Sequence, residues 1–309
     1  MTKLFNENLG KASNSKELAI LKKKFNHYDS LYVAVSTMTT RPDFRDWLEV
    51  LWKQYEPHAD TNFSDEFKKQ FNQRAWEMYL GSTLLNKGHV LGDHSDVGPD
   101  FKIAYENKQI WVEAIAVEKG TGKDKVPDIV YGKMIDVPEK EMLLRLTSGI
   151  KEKYQKYLSY LSNNLINPND PFIIAIDRSP LEHSDPQIPL IFKCLFAIGH
   201  QVLHIKKLGS QTKAKTRTEA SNWSSRDKVY KISGSEVGMF VFGDNSFEGV
   251  SAIIYCIQNI LNSPQEIDRM GDGFIIVHNP FAKNPLPDNF FKFGEEWKQE
   301  GDQLKRINT

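Results

Sequence analysis

The stretch "QIWVEAIAV", residues 109–117, constrains this chain more than any other segment. Its β-branched and aromatic residues predict a strand. Apolar neighbours on both sides surround Glu113, where an ionised carboxylate loses hydration unless a cation or a hydrogen-bond donor compensates. Either this strand lies at a sheet edge or the fold supplies Glu113 with a partner.

The neighbouring segments limit where such a partner can come from. A turn-rich segment, "GDHSDVGPD", leads through Asp100 into "FKIAYEN", and Asn107-Lys108 joins that run to the Glu113 strand as a hairpin. Before it, the pattern predicts a long amphipathic helix from Ser64 to near Gly88, with Phe67, Phe71, Ala75, Met78, Tyr79 and Leu80 as apolar positions and Glu77 in the middle. Residues 1–60 read as helical, and Phe44, Trp47, Leu48, Leu51 and Trp52 form a core-facing stripe. After the hairpin, 118–140 is rich in Gly, Pro and Lys and reads as a loop or flap. A second helix is predicted over 139–163 and a buried strand over 171–177. Beyond these, "IPLIFKCLFAIGHQVLHI" reads as an apolar helix or helix pair, and "SRDKVYKISGSEVGMFVF" as a hairpin. A strand or helix in "GVSAIIYCIQNILN", a strand in "GFIIVH" and an extended Pro-rich ending complete the chain.

Composition narrows the class. The 309 residues include 40 Lys plus Arg and 40 Asp plus Glu, so the formal charge is zero and any attraction to nucleic acid or an anionic membrane must come from a local patch. The run 206–228, with seven Lys or Arg, two acids and Trp223, is such a patch; it reads either as a phosphate-tracking segment or as a solvated loop. Cys194 and Cys256 sit in apolar runs and are expected to be buried free thiols. With no signal-peptide core and no apolar run of membrane-spanning length, a cytoplasmic location is expected. His89 and His94 read as turn residues, His200 and His204 as structural residues on a helix without a third zinc ligand. "GTGKDK" lacks the glycine spacing and following Ser or Thr of a phosphate-binding loop.

Collected by pattern, Glu77, Asp100 and Glu113 lie around one hairpin, and a helix rich in Lys and Arg follows. Carboxylates brought to one end of a sheet suit a hard cation such as Mg²⁺. Pro99-Asp100, twelve intervening residues and Glu113, with the order helix, hairpin, helix, strand, resemble the PD-(D/E)xK phosphodiesterase superfamily over residues 64–178. That resemblance implies an α/β fold with a restriction-endonuclease-like αβββαβ core, a mixed central sheet flanked by helices. Residues 1–63 would add an N-terminal helical extension and 179–309 a C-terminal α+β part. It also implies a nuclease acting on DNA or RNA with Mg²⁺ or Mn²⁺, the metal held by Asp100, Glu113 and the Ala114 carbonyl, with Glu77 assisting. The usual lysine two residues after the glutamate is replaced by Ile115. Some members carry that lysine on the next helix, and Lys153 is the leading substitute. Arg145, Gly149 and Lys153 share a helix face at spacings of four, Gly149 being costly there unless the backbone makes a close approach. Arg145 is expected to clamp phosphate or carboxylate, with Gln155 and Lys156 as further substrate contacts. The alternative is an inactive scaffold of the same fold that binds nucleic acid or protein.

Overall fold

The computed structural model describes residues 2–93, 97–130, 132–185, 188–208 and 215–308, the side chains of 203–222 excepted. His94, the His204 side chain and most side chains of the basic run 206–228 therefore lie outside the described residues.

Among the described residues five α-helices precede the first strand: α1 (Ser15–Lys24), α2 (Ser30–Thr37), α3 (Pro42–Tyr55), α4 (Phe63–Phe67) and α5 (Phe71–Asn86). The helix predicted from Ser64 to Gly88 is two helices. The chain breaks at Gln70, whose φ of −133° and ψ of 56° are not helical. Local propensity gives no hint of this, because Lys-Lys-Gln is good helix sequence. Tertiary contacts decide it: the Lys68 carbonyl accepts from Asp29 N at 2.8 Å, and the buried Lys68 ammonium meets Glu7 and Asp65 at 3.3 Å. As a result Gln73, Arg74 and Glu77 occupy the opening turns of α5.

The hairpin β1 (Phe101–Tyr105) and β2 (Lys108–Ala116) follows, then α6 (Glu139–Ser162), β3 (Phe172–Asp177) and α7 (Leu190–Phe196). Next come two long strands, β4 (Ile198–Leu208) and β5 (Lys215–Ser225), and the short hairpin β6 (Lys228–Tyr230) and β7 (Glu236–Gly238). The chain ends with β8 (Ala252–Cys256), β9 (Phe274–His278), β10 (Glu295–Glu300) and β11 (Gln303–Arg306). Where the apolar run 188–205 is expected to form a helix or helix pair, α7 stops at Phe196 and a strand follows. Ala197 adopts a left-handed φ of 53°, and His200 lies on a strand. The Pro-rich ending likewise gives way to a polar hairpin, β10–β11.

Seven strands form one mixed sheet in the order β1-β2-β3-β8-β9-β10-β11, so strands from both 64–178 and 179–309 join it. β2, β3 and β8 run parallel, whereas β1 is antiparallel to β2. The expected mixed sheet flanked by helices is present. Three strands are expected before α6; two full strands are found, with Leu91 adding a single antiparallel bridge to Ile103.

Strand alternation divides the core. Ile110, Val112 and Ala114 of β2, with Ile173 and Ala175 of β3, pack under α3 and α5. Phe172, Ile174 and Ile176 face the opposite side, toward α6 and α7. Glu113 lies on this second face, 1% exposed. Cys194 and Cys256 are buried and free. No helix among the described residues is long and apolar enough to cross a membrane.

Candidate active site

The site begins where β1 begins. Phe101 pairs with Val112, and beyond that point no strand among the described residues pairs with β2 on its outer side. The odd-numbered amides of β2 point toward β3, as Trp111 N and Val117 N do, so Ala114 N, Ala114 O and Ala116 N face the open edge. Unpaired backbone groups at a half-buried edge need partners. Here side chains supply them: Asp100 Oδ2 accepts from Ala114 N at 2.6 Å, and Gln73 Oε1 accepts from Ala116 N at 2.8 Å. The same Gln73 donates through Nε2 to Ala114 O at 3.2 Å and to Glu77 Oε1 at 2.7 Å.

α6 approaches β2 from the other face. A Cβ at Gly149 would stand 3.3 Å from Ile115 Cδ1 and from Val117 Cγ2, so the missing side chain is what lets the helix lie this close. Ile115 packs beneath that contact. One turn later Lys153, 5% exposed, places Nζ 2.8 Å from Glu113 Oε1. Lys156 Nζ reaches the same oxygen at 2.9 Å, and Tyr160 donates its hydroxyl to Glu113 Oε2 at 3.0 Å. Residues 149, 153, 156 and 160 follow the i, i+4, i+7, i+11 spacing of one helical face. The partner that Glu113 requires therefore comes from α6.

Acids and bases interleave across the cleft. Arg74 pairs with Glu77 at 2.6 Å and Asp60 at 2.8 Å, and also contacts Glu66. Burial pushes the Glu77 carboxyl above its usual range, against the opposing pull of Arg74. Asp100 is pushed well above its ordinary value by burial and by the charges of Glu113 and Glu77, only partly offset by Lys153 and the Ala114 amide. Burial by itself would lower Lys156, but Glu113 holds it above its ordinary value.

A cleft of about 880 Å³ is lined by Glu77, Asp100, Glu113, Arg145, Lys153 and Lys156 together, with Gln73, Arg74, Gly149 and Tyr160. Ala114 contributes its backbone groups to the same edge. Arg145 donates from Nε to the Glu118 carbonyl at 2.7 Å and so braces the exit of β2. Gln155 is exposed and is not among the lining residues, because two positions from Lys153 is roughly 200° around a helix. His89 packs on Phe290 and Phe291, away from the cleft. Sequence reasoning missed Gln73, Arg74 and Tyr160. The signal for them was helical spacing: Gln73 is four before Glu77, and Tyr160 is four after Lys156.

No protein family matches the chain, and neither a curated protein nor a solved structure matches it.

The donor chemistry of the cleft fits a hard divalent cation, which takes oxygen ligands. Repulsion among Asp100, Glu113 and Glu77, seen in the raised Asp100, is what such a cation would relieve. Among the described residues no three acidic or histidine side chains stand close enough to hold a metal by themselves.

Proposed function

We propose that the chain is a Mg²⁺- or Mn²⁺-dependent phosphodiester hydrolase acting on DNA or RNA, with a restriction-endonuclease-like core of the PD-(D/E)xK type. The observation that carries this reading is the Lys153–Glu113 contact at 2.8 Å. A lysine from the following helix reaches the acidic site, while position 115, the usual place for it, is an isoleucine covered by Gly149. The parallel pairing of β2 with β3 across the α6 crossover also suits that core.

Asp100, Glu113 and the Ala114 carbonyl would hold the cation, which polarises a phosphodiester and lowers the pKa of an attacking water. Lys153 would stabilise negative charge gathering on the phosphate, since a desolvated ammonium acts strongly in such a cleft. Glu77 would hold a second metal or a metal-bound water. Lys156 and Arg145, which also line the cleft, would meet phosphate oxygens. Tyr160 fixes one oxygen of Glu113, so the other is the one presented to Lys153 and Lys156.

A second reading has its own observation. Both Glu113 oxygens are already satisfied by Lys153, Lys156 and Tyr160, which suits an inactive scaffold that binds nucleic acid or protein. Incubation of duplex DNA, single-stranded DNA and RNA with Mn²⁺ separates the two. Cleavage lost in Asp100→Ala and reduced about a hundredfold or more in Lys153→Ala supports the hydrolase. Unaltered Mn²⁺ affinity in both Asp100→Ala and Glu113→Ala would end the metal-site reading. Metal binding with no cleavage of any substrate favours the scaffold.

A further inference from the structure

Both N–H groups and the oxygen of the Gln73 carboxamide are engaged. Its two N–H groups go to Glu77 Oε1 at 2.7 Å and Ala114 O at 3.2 Å, and its oxygen takes the Ala116 amide at 2.8 Å. Completing the open edge of β2 needs only the two contacts to the strand. The third, to Glu77, brings a carboxylate and a carbonyl oxygen onto a single nitrogen. Two hard oxygens converging on one donor group also offer a place to a cation, with ligand distances shortened to about 2.0–2.6 Å.

We propose that Gln73 is a positioning residue whose NH₂ group keeps the place of a divalent cation between Glu77 and the Ala114 carbonyl, and must leave those oxygens for the cation to bind. This rests on the reading of the cleft as a divalent-cation site. The amide then sets the affinity threshold of the site. Its neutral N–H groups occupy the two acceptors and so compete with the cation, and a fixed charge at the same point shifts the balance further either way. An anionic side chain at position 73 can keep the Ala116 hydrogen bond while replacing the competing NH₂ by a further oxygen ligand. A cationic side chain reaching the same two oxygens bars the cation.

The test is Mn²⁺ affinity, read from the paramagnetic resonance signal of free Mn²⁺, for the intact protein and for Gln73→Glu, Gln73→Lys, Gln73→Met and Asp100→Asn. Circular dichroism serves as the folding check. Expected are weaker binding in Asp100→Asn, binding at least about tenfold tighter in Gln73→Glu, since affinity rises with ligand charge, and loss of binding in folded Gln73→Lys. A purely structural glutamine would make every substitution at position 73 weaken binding, so the opposite signs are the signature. If Asp100→Asn weakens binding but Gln73→Glu does not tighten it, the Gln73 inference falls and the metal reading stands. If Gln73→Glu fails to fold, the nearly isosteric Gln73→Met decides: it lacks the NH₂, and unchanged or weaker affinity overturns the inference. If neither the intact protein nor Gln73→Glu binds Mn²⁺, or Asp100→Asn binds as tightly as the intact protein, both proposals fall.

Discussion

Lys153 Nζ lies 2.8 Å from Glu113 Oε1 in a pair that is almost wholly buried, with side chains 7% and 1% exposed. Breaking a buried pair by removing one partner typically costs about 3–5 kcal/mol, because the remaining charge is left uncompensated. Lys156 shares the Glu113 oxygen and would soften the loss. Lys153→Met is therefore expected near the lower end of that range. The double variant Glu113→Gln/Lys153→Met should be more stable than Lys153→Met alone, as urea unfolding of the four proteins in the cycle will show. Equal and additive losses would mean that the two charges are not coupled.

The close approach of α6 to β2 gives a second expectation. Gly149→Leu places a large side chain where even a Cβ stands 3.3 Å from Ile115 and Val117, so it should destabilise by about 1–3 kcal/mol through overpacking. By lifting α6 it should also detach Lys153 from Glu113 and depress the proposed cleavage as Lys153→Met should. Restoring the usual lysine by Ile115→Lys should not rescue Lys153→Met, because position 115 lies beneath the helix. Recovery of cleavage in that double variant would refute this.

The acidity of the cleft predicts a pH dependence. Asp100, ordinarily near 3.8, is raised by burial and by Glu113 and Glu77. An acid with a raised folded pKa contributes stability that is complete below its unfolded value and is lost as pH climbs through the folded one. The melting temperature of the metal-free protein should therefore fall as pH rises above about 4. Asp100→Asn should flatten that slope and melt higher at pH 7, and Mn²⁺ should flatten it in the intact protein. A slope unaffected by either change would contradict the electrostatic description.

Asp177, at the end of β3, provides an independent case outside the cleft. Burial raises it to about 7, despite hydrogen bonds from Ser179 N at 2.8 Å and Ser179 Oγ at 3.0 Å. Its contribution to stability is complete below about 3.8 and disappears as pH rises through about 7. Asp177→Asn should remove that portion of the pH dependence, and Mn²⁺ should leave it untouched. Calorimetric melts between pH 4 and 8, with and without Mn²⁺, separate it from the Asp100 effect.

The elements nearest the site were legible because their patterns are strong and local. β1, β2, β3 and α6 follow from alternation and from a helical stripe, and their bounds fall within a residue or two of expectation. The break before α5 was not legible, since it depends on Asp29 and Glu7 reaching Lys68 from distant parts of the chain. The strand β4 was hidden in an apolar run, where periodicity does not separate helix from strand. β10 and β11 are polar strands paired around a Gly301 turn, and only that turn announces them. At the site, Glu113's need for a partner and the glycine in α6 were readable, and both lead to Lys153. The spacing of Gln73 from Glu77 was readable but its role was not, because that role is to satisfy backbone groups left by the late start of β1, and strand pairing length is not written in any one segment.

α5 belongs to the apolar cluster on one face of the sheet and α6 to the cluster on the other, yet both present side chains to the same cleft around the edge of β2. A ligand gripped by Glu77 and Arg74 from one helix and by Lys153 and Lys156 from the other fastens the two halves of the molecule together. Its binding would then tie the packing of α5 on one face of the sheet to that of α6 on the other.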